Sequence, residues 1–86
     1  MIENSVTSAT VADGRARIDE IDAALIGLIR ERIAVSRGIQ GARIAEGGPR
    51  VVSSREQAVV QKWHRALGES GAVIALRLLD LSRGHL

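Results

Sequence analysis

The apolar residues in the first half of the chain recur with alternating steps of three and four positions. They are Ile18, Ile21, Leu25, Leu28, Val35, Ile39 and Ala42. This alternation is typical of a helix with one apolar seam. We therefore predict a helix from about Asp13, a candidate N-cap, to Ala45, with Gly47-Gly48-Pro49 as its stop signal. Residues 1–12 carry no comparable period and are predicted to form a flexible N-terminal tail.

Two shorter helices are predicted in the second half of the chain. The first covers about residues 53–67, and the second covers residues 72–82. Between them, Gly68-Glu69-Ser70-Gly71 has the composition of a turn. Residues 13–86 are thus expected to form one all-α domain with three helices, one long and two shorter.

The predicted length of the first helix bears on assembly. About thirty residues at 1.5 Å per residue give a helix roughly 45–50 Å long. A compact monomer of this size would be only about 30 Å across. One end of the apolar seam would then project into water, so an intertwined helical homodimer is expected.

Composition narrows the function classes. The 86 residues include no Cys, which excludes disulfides and thiolate metal sites. His64 and His85 have no partners at metal-ligand spacing, so no metal site is predicted. The start MIENSV lacks the pattern of a secretory signal, and no stretch approaches the ~20 apolar residues of a membrane span. A cytoplasmic protein is expected.

Positive charge is concentrated in the middle of the chain. Residues 30–55 contain six arginines and two acidic residues, although the formal net charge of the chain is only +2. Such a region suits a small polyanion as well as nucleic acid. The chain has one Trp, no Phe and no Tyr, and no basic recognition helix is evident. A nucleic-acid partner is therefore not expected.

Arg32 occupies a position of the seam where the period requires an apolar residue, between Leu28 and Val35. A guanidinium stays protonated in proteins, so its unpaired burial would be very costly. An anionic group should meet it, either a carboxylate of the protein or a ligand. Arg43 follows three helical turns later and projects from nearly the same face. Each arginine taken singly also fits a solvated surface group.

Glu56 raises the same question in the second helix. It precedes Val59, Val60 and Trp63 at helical spacing and shares their apolar face. One interpretation is a capping box, in which Ser53 and Glu56 bond to backbone amides at the helix start. The other is a carboxylate that lines a pocket. Since no nucleophile or acid–base pair is evident, any chemistry should depend on positioning and electrostatics.

Together these residues resemble the small all-helical chorismate mutases, and most closely the short actinobacterial type. The matching segments are Arg15-x-x-Ile18-Asp19-x-x-Asp22, Leu28-Ile29-x-x-Arg32, Arg43, the loop Ala45-Glu46-Gly47-Gly48-Pro49-Arg50-Val51-Val52, and Arg55-Glu56. The resemblance covers roughly residues 13–86. It implies an intertwined dimer with two pockets that rearranges chorismate to prephenate, in Phe and Tyr biosynthesis, without a cofactor.

The resemblance also implies roles for individual residues. Arg32 would bind one substrate carboxylate, and Arg15 would bind the other from the partner chain. Arg43 would donate to the ether oxygen, where many relatives carry Lys. Glu56 would accept from the ring hydroxyl, and Arg55 would support the pocket rim.

Three further expectations follow from the resemblance. Val52 would offer a backbone contact to the substrate. On the third helix, Leu79 and Arg83 stand where better-known relatives have Ser and Gln, so Arg83 is expected to contact a carboxylate. Some short mutases are activated by the first shikimate-pathway enzyme, DAHP synthase, and residues 82–86 are a candidate docking tail for it.

Three rival functions remain open from the sequence. Isochorismate–pyruvate lyase shares the fold and the cationic pocket, and an amino-substituted chorismate, as in an aminodeoxychorismate mutase, is a further candidate substrate. The third rival is a non-catalytic helical dimerisation module that binds a protein or nucleic acid. That module would leave Arg32 and Glu56 exposed to solvent.

Overall fold

The computed structural model describes residues 8–49 and 51–83, and these form three helices without a strand. Helix α1 spans Ser8–Ala45, α2 spans Ser53–Leu67 and α3 spans Glu69–Arg83. The predicted all-α architecture of one long and two shorter helices is confirmed.

Helix α1 begins five residues before the predicted start. Asp13 lies inside the helix, so its proposed role as an N-cap is wrong. The stretch from Ser8 to Ala12 contains no Gly or Pro, and nothing there stops the helix from extending toward the N-terminus. Residues 1–7 of the predicted tail lie outside the described residues.

The end of α1 is a Schellman motif, as the Gly-Gly-Pro signal predicts. Gly47 adopts φ 83°, which favours glycine because it has no side chain to clash. The Gly48 amide donates to the carbonyl of Arg43 at 2.7 Å, and the Gly47 amide donates to that of Ile44 at 2.9 Å. These two bonds satisfy helix-end carbonyls and turn the chain toward α2.

The predicted four-residue turn between α2 and α3 is reduced to Gly68, with φ 75°. Helix α3 starts at Glu69, three residues earlier than predicted. Gly71 belongs to this helix and is buried. A Cβ added there would lie 2.2 Å from the carbonyl oxygen of Trp63, so α3 approaches the α2 backbone too closely for a side chain at this position. Gly71 therefore serves close packing between α2 and α3, and the sequence alone does not distinguish this use from a turn.

Helix α3 is the central element, since it packs against both α1 and α2. The buried apolar side chains are Val59 on α2 and Ala75, Leu78 and Leu79 on α3. No residue of α1 is buried, and the protein measures 62 × 23 × 16 Å. No helix among the described residues is long and apolar enough to cross a membrane.

Candidate active site

A cavity of about 420 Å³ lies between the second half of α1, the segment leading into α2, the first turns of α2, and Leu79 of α3. We call it the central cavity. Its lining comprises Leu28, Glu31, Arg32, Val35, Ser36, Ile39, Gln40, Arg43, Val51, Val52, Arg55, Glu56, Val59 and Leu79. Five of the predicted site residues are thus brought together by one chain: Arg32, Arg43, Val52, Arg55 and Glu56.

Helix α1 presents its polar lining residues at regular spacing. Arg32, Ser36, Gln40 and Arg43 follow one another at steps of four, four and three, so they share one face. Ser36 and Gln40 are not among the site residues predicted from the sequence. Their spacing from the two arginines was the available signal, since residues three or four positions apart on a helix are neighbours.

Arg32 is half-buried, and a neutral group meets it. Its Nη1 donates a hydrogen bond to the Ser82 hydroxyl oxygen at 3.3 Å. No carboxylate of the described residues lies within ion-pair distance of Arg32. The charge of Arg32 is therefore not neutralised by the described part of the chain, and an anionic ligand in the central cavity can do so.

Arg43 lies where α1 meets the loop. Its Nε donates to the carbonyl oxygen of Pro49 at 3.2 Å, and its own carbonyl accepts the Schellman bond from Gly48. The loop backbone therefore bonds to both the side chain and the backbone of Arg43. This arrangement fixes one cation at the end of the cavity opposite Arg32 along the α1 face.

Glu56 is not the second half of a capping box, so that interpretation is wrong. The residue at the N-cap of α2 is Val52, and no side-chain hydrogen bond caps the helix. The Glu56 carboxylate accepts a hydrogen bond from Nη2 of Arg83, and its side chain is 24% exposed. The interpretation of Glu56 as a carboxylate that lines a pocket agrees with the structure.

Arg83 is directed toward α2 and its own helix. Besides Glu56, it donates from Nη1 to the Asp80 carboxylate at 2.9 Å. It is not among the residues that line the central cavity. Arg83 is thus linked to the cavity by its ion pair with Glu56, which does line it. The expected contact between Arg83 and a substrate carboxylate stays a prediction. Of the predicted docking tail, residues 84–86 lie outside the described part of the chain.

Arg15 lies far from the central cavity of its own chain. It precedes Arg32 by seventeen residues on the same helix, which corresponds to about 25 Å along the axis. One chain therefore does not bring Arg15 to its own cavity. A contribution from a partner chain stays a prediction.

The charge of the cavity suits a small anion with more than one acidic group. Three arginines and two glutamates line it, and one of the glutamates is already paired with Arg83. Guanidinium groups bind carboxylates through two parallel hydrogen bonds, which gives both affinity and orientation. Among the described residues, no group of three or more His, Asp or Glu side chains is arranged to hold a metal ion.

Comparison with known proteins gives consistent matches. A family model described as chorismate mutase type II matches residues 14–78. The intracellular chorismate mutase of Mycolicibacterium smegmatis is 46% identical over 76 residues, which are 88% of this chain and 73% of that protein. The intracellular chorismate mutase of Mycobacterium tuberculosis is 43% identical over 72 residues, or 84% of this chain and 68% of that protein.

A solved structure supports the same relationship. It is the non-covalent complex of DAHP synthase and chorismate mutase from Corynebacterium glutamicum with a bound transition state analog. A chain of this complex matches with a TM-score of 0.86 and 31% sequence identity. The match covers 91% of the chain described here and 94% of that chain.

Proposed function

Because this chain belongs to the type II chorismate mutase family, we propose that it rearranges chorismate to prephenate in the central cavity. The observation that carries the proposal is Arg32, a half-buried cation that faces no carboxylate of the described residues. Chorismate is a dianion, so its carboxylates supply the missing negative charge. The reaction is an isomerisation in which the ether C–O bond breaks while a C–C bond to the ring forms.

The proposed mechanism depends on orientation. Arg32 binds one carboxylate of chorismate, and Arg15 of the partner subunit binds the other. Two fixed carboxylates bring the enolpyruvyl side chain over the ring, which is the conformer that reacts. The rearrangement is unimolecular and needs no proton transfer.

Electrostatic stabilisation is the second part of the proposal. Negative charge develops on the ether oxygen as its bond to carbon lengthens, and Arg43 donates to this oxygen. A donor that is already oriented stabilises the transition state more than the substrate. The bond from Arg43 to Pro49 supports this role, because it restricts the side chain before substrate arrives.

The remaining lining residues position the ring. Glu56 accepts from the ring hydroxyl, Val52 supplies a backbone contact and Arg55 supports the rim of the cavity. A carboxylate has two oxygens, so Glu56 can accept from Arg83 and from the substrate together. Arg83 holds the Glu56 carboxylate through their ion pair and is also proposed to contact a substrate carboxylate, and Leu79 contributes an apolar wall.

We also propose that the functional unit is a homodimer. Along the seam of α1, large apolar side chains remain exposed, among them Leu25, Leu28 and Val35 at 49%, 62% and 58%. An exposed apolar surface of this extent is unusual for a monomer and typical of an interface. A second copy of the chain would cover the seam and bring its Arg15 toward the central cavity.

The dimer predicts concentration-dependent stability. The wild-type protein should sediment as a dimer at micromolar concentration, and its melting temperature should rise with concentration. Leu25→Glu places a charge on the seam and should abolish the dimer. Ala23→Glu, two residues away and hence on the other side of the helix, should leave it intact. A stable folded monomer of the wild type would contradict the shared pocket.

Relatives support two further parts of the proposal. The Corynebacterium glutamicum structure is a complex with DAHP synthase, so we propose that this chain also binds a DAHP synthase. The mycobacterial relatives are named intracellular enzymes, which supports a cytoplasmic location.

The test of the activity is the loss of chorismate absorbance on adding the purified protein, followed by identification of the product. Formation of prephenate is expected. Isochorismate and an amino-substituted chorismate serve as matched substrates, and faster turnover of either would replace chorismate in the proposal. A non-catalytic module would turn over none of them. The half-burial of Arg32 and Glu56 already argues against that rival, which requires both to be exposed.

A further inference from the structure

Ser82 is the one polar side chain in the buried core of the described residues. It lies near the end of α3, on the face that also carries Ala75, Leu78 and Leu79. Only 2% of its surface is exposed. A hydroxyl removed from water needs hydrogen-bond partners to offset the loss of hydration.

The Ser82 hydroxyl both donates and accepts a hydrogen bond. Its proton is donated to the carbonyl oxygen of Leu78 at 2.8 Å. Its oxygen accepts from Nη1 of Arg32 at 3.3 Å. Because the proton is committed to Leu78, the oxygen presents lone pairs and no proton to Arg32, so the two bonds support one another.

We infer that Ser82 is a positioning residue for Arg32, an inference that rests on the proposed function. Arginine has several rotatable bonds, and a free guanidinium would lose their entropy when it binds substrate. The bond to Ser82 anchors one nitrogen of the guanidinium to α3 in advance. Arg32 has five N–H donors, so the anchored group still has donors for a substrate carboxylate.

The hydroxyl has no comparable structural use. Ala at position 82 would keep the helix, because Ala is the best helix former. It would also bury no polar group, and a serine bond to the carbonyl four residues earlier slightly destabilises a helix. The contact with Arg32 is therefore what the hydroxyl adds to the protein.

The test begins with Ser82→Ala. The variant should fold and sediment as the wild type does. Its kcat/KM for chorismate should fall about tenfold, mainly through a higher KM, because a hydrogen bond that orients a charged group is lost. Ser70→Ala, which removes an exposed hydroxyl from the same helix, is the matched control and should leave both constants unchanged. Unchanged kinetics of Ser82→Ala would overturn the inference.

A double-mutant cycle separates positioning from a general packing effect. Arg32→Lys replaces the planar guanidinium by a single nitrogen. One nitrogen cannot both bond to Ser82 and bind a carboxylate through two parallel hydrogen bonds. If Ser82 acts through Arg32, Ser82→Ala should cost little more in the Arg32→Lys background. An equal loss in both backgrounds would assign Ser82 a packing role and overturn the inference.

Two precautions keep the outcomes distinct. Should Ser82→Ala be misfolded by circular dichroism, Ser82→Cys takes its place under the same criteria, since it is close in size and replaces a strong acceptor by a weak one. The wild type is measured first. A wild type that does not consume chorismate refutes the proposed function, whereas an active wild type with an insensitive position 82 refutes only the inference.

Discussion

Arg43→Ala is expected to lower the turnover of chorismate by about a hundred- to a thousandfold, or roughly 3–4 kcal/mol of transition-state stabilisation. The ether oxygen gains negative charge only as its bond breaks, so the lost donor matters little to the bound substrate. The effect should therefore appear in kcat, with a much smaller change in KM. Steady-state kinetics with purified Arg43→Ala and wild type make the comparison.

Arg43→Lys is the control for charge. It keeps the cation and should retain far more activity than Arg43→Ala. At Arg32, where a carboxylate is to be held by a planar fork, the same exchange to Lys should be less tolerated. Equal turnover by wild type, Arg43→Ala and Arg43→Lys would show that the reaction centre lies elsewhere.

Arg15→Ala and Arg32→Ala should each lose about a hundredfold or more in kcat/KM, because one carboxylate of the dianion loses its partner. Mixing the two inactive proteins should restore activity if Arg15 acts from the partner subunit. In a mixed dimer both lesions fall in one pocket and the other pocket is intact. With equal amounts and random exchange, half of the dimers are mixed and half of their pockets work. The mixture should thus reach about a quarter of wild-type activity.

Exchange itself must be shown independently, by co-purification of differently tagged subunits. Mixing two preparations of Arg32→Ala should restore nothing and serves as the control. Absence of recovery in dimers that have demonstrably exchanged would place Arg15 outside the pocket and refute the shared-site mechanism.

The periodicity of the sequence predicts those features of the fold that are determined by residues close together in the chain. The end of α1 at Ala45, followed by Gly47, and the range of α2 follow from turn chemistry and from the spacing of apolar residues. The conflict between Arg32 and its apolar seam also leads to the central cavity. A charge at a position that the period assigns to an apolar residue is visible without any structure.

The contacts that the sequence does not predict are those between helices. Nothing in the local sequence pattern pairs Glu56 with Arg83. The sequence therefore left both interpretations of Glu56 open, as part of a capping box and as a carboxylate that lines a pocket. The sequence predicts a turn at Gly71, whereas the structure shows Gly71 within α3, packed against the backbone of Trp63. Ser82 shares the buried face of α3, and helical spacing could have singled it out as the polar exception. Its partner Arg32, fifty positions away, could not have been found in this way.

The loop after α1 has a consequence for insertions and deletions. The Gly48 amide donates to the backbone carbonyl of Arg43, and the Pro49 carbonyl accepts from the Arg43 side chain. The number of residues between Arg43 and Pro49 therefore bears on where the guanidinium lies. Surface loops commonly tolerate a change of length at little thermodynamic cost. If Arg43 donates to the ether oxygen as proposed, an added or lost loop residue should lower turnover while the helices stay folded. The proposed mechanism thus constrains the length of this loop more tightly than the fold does.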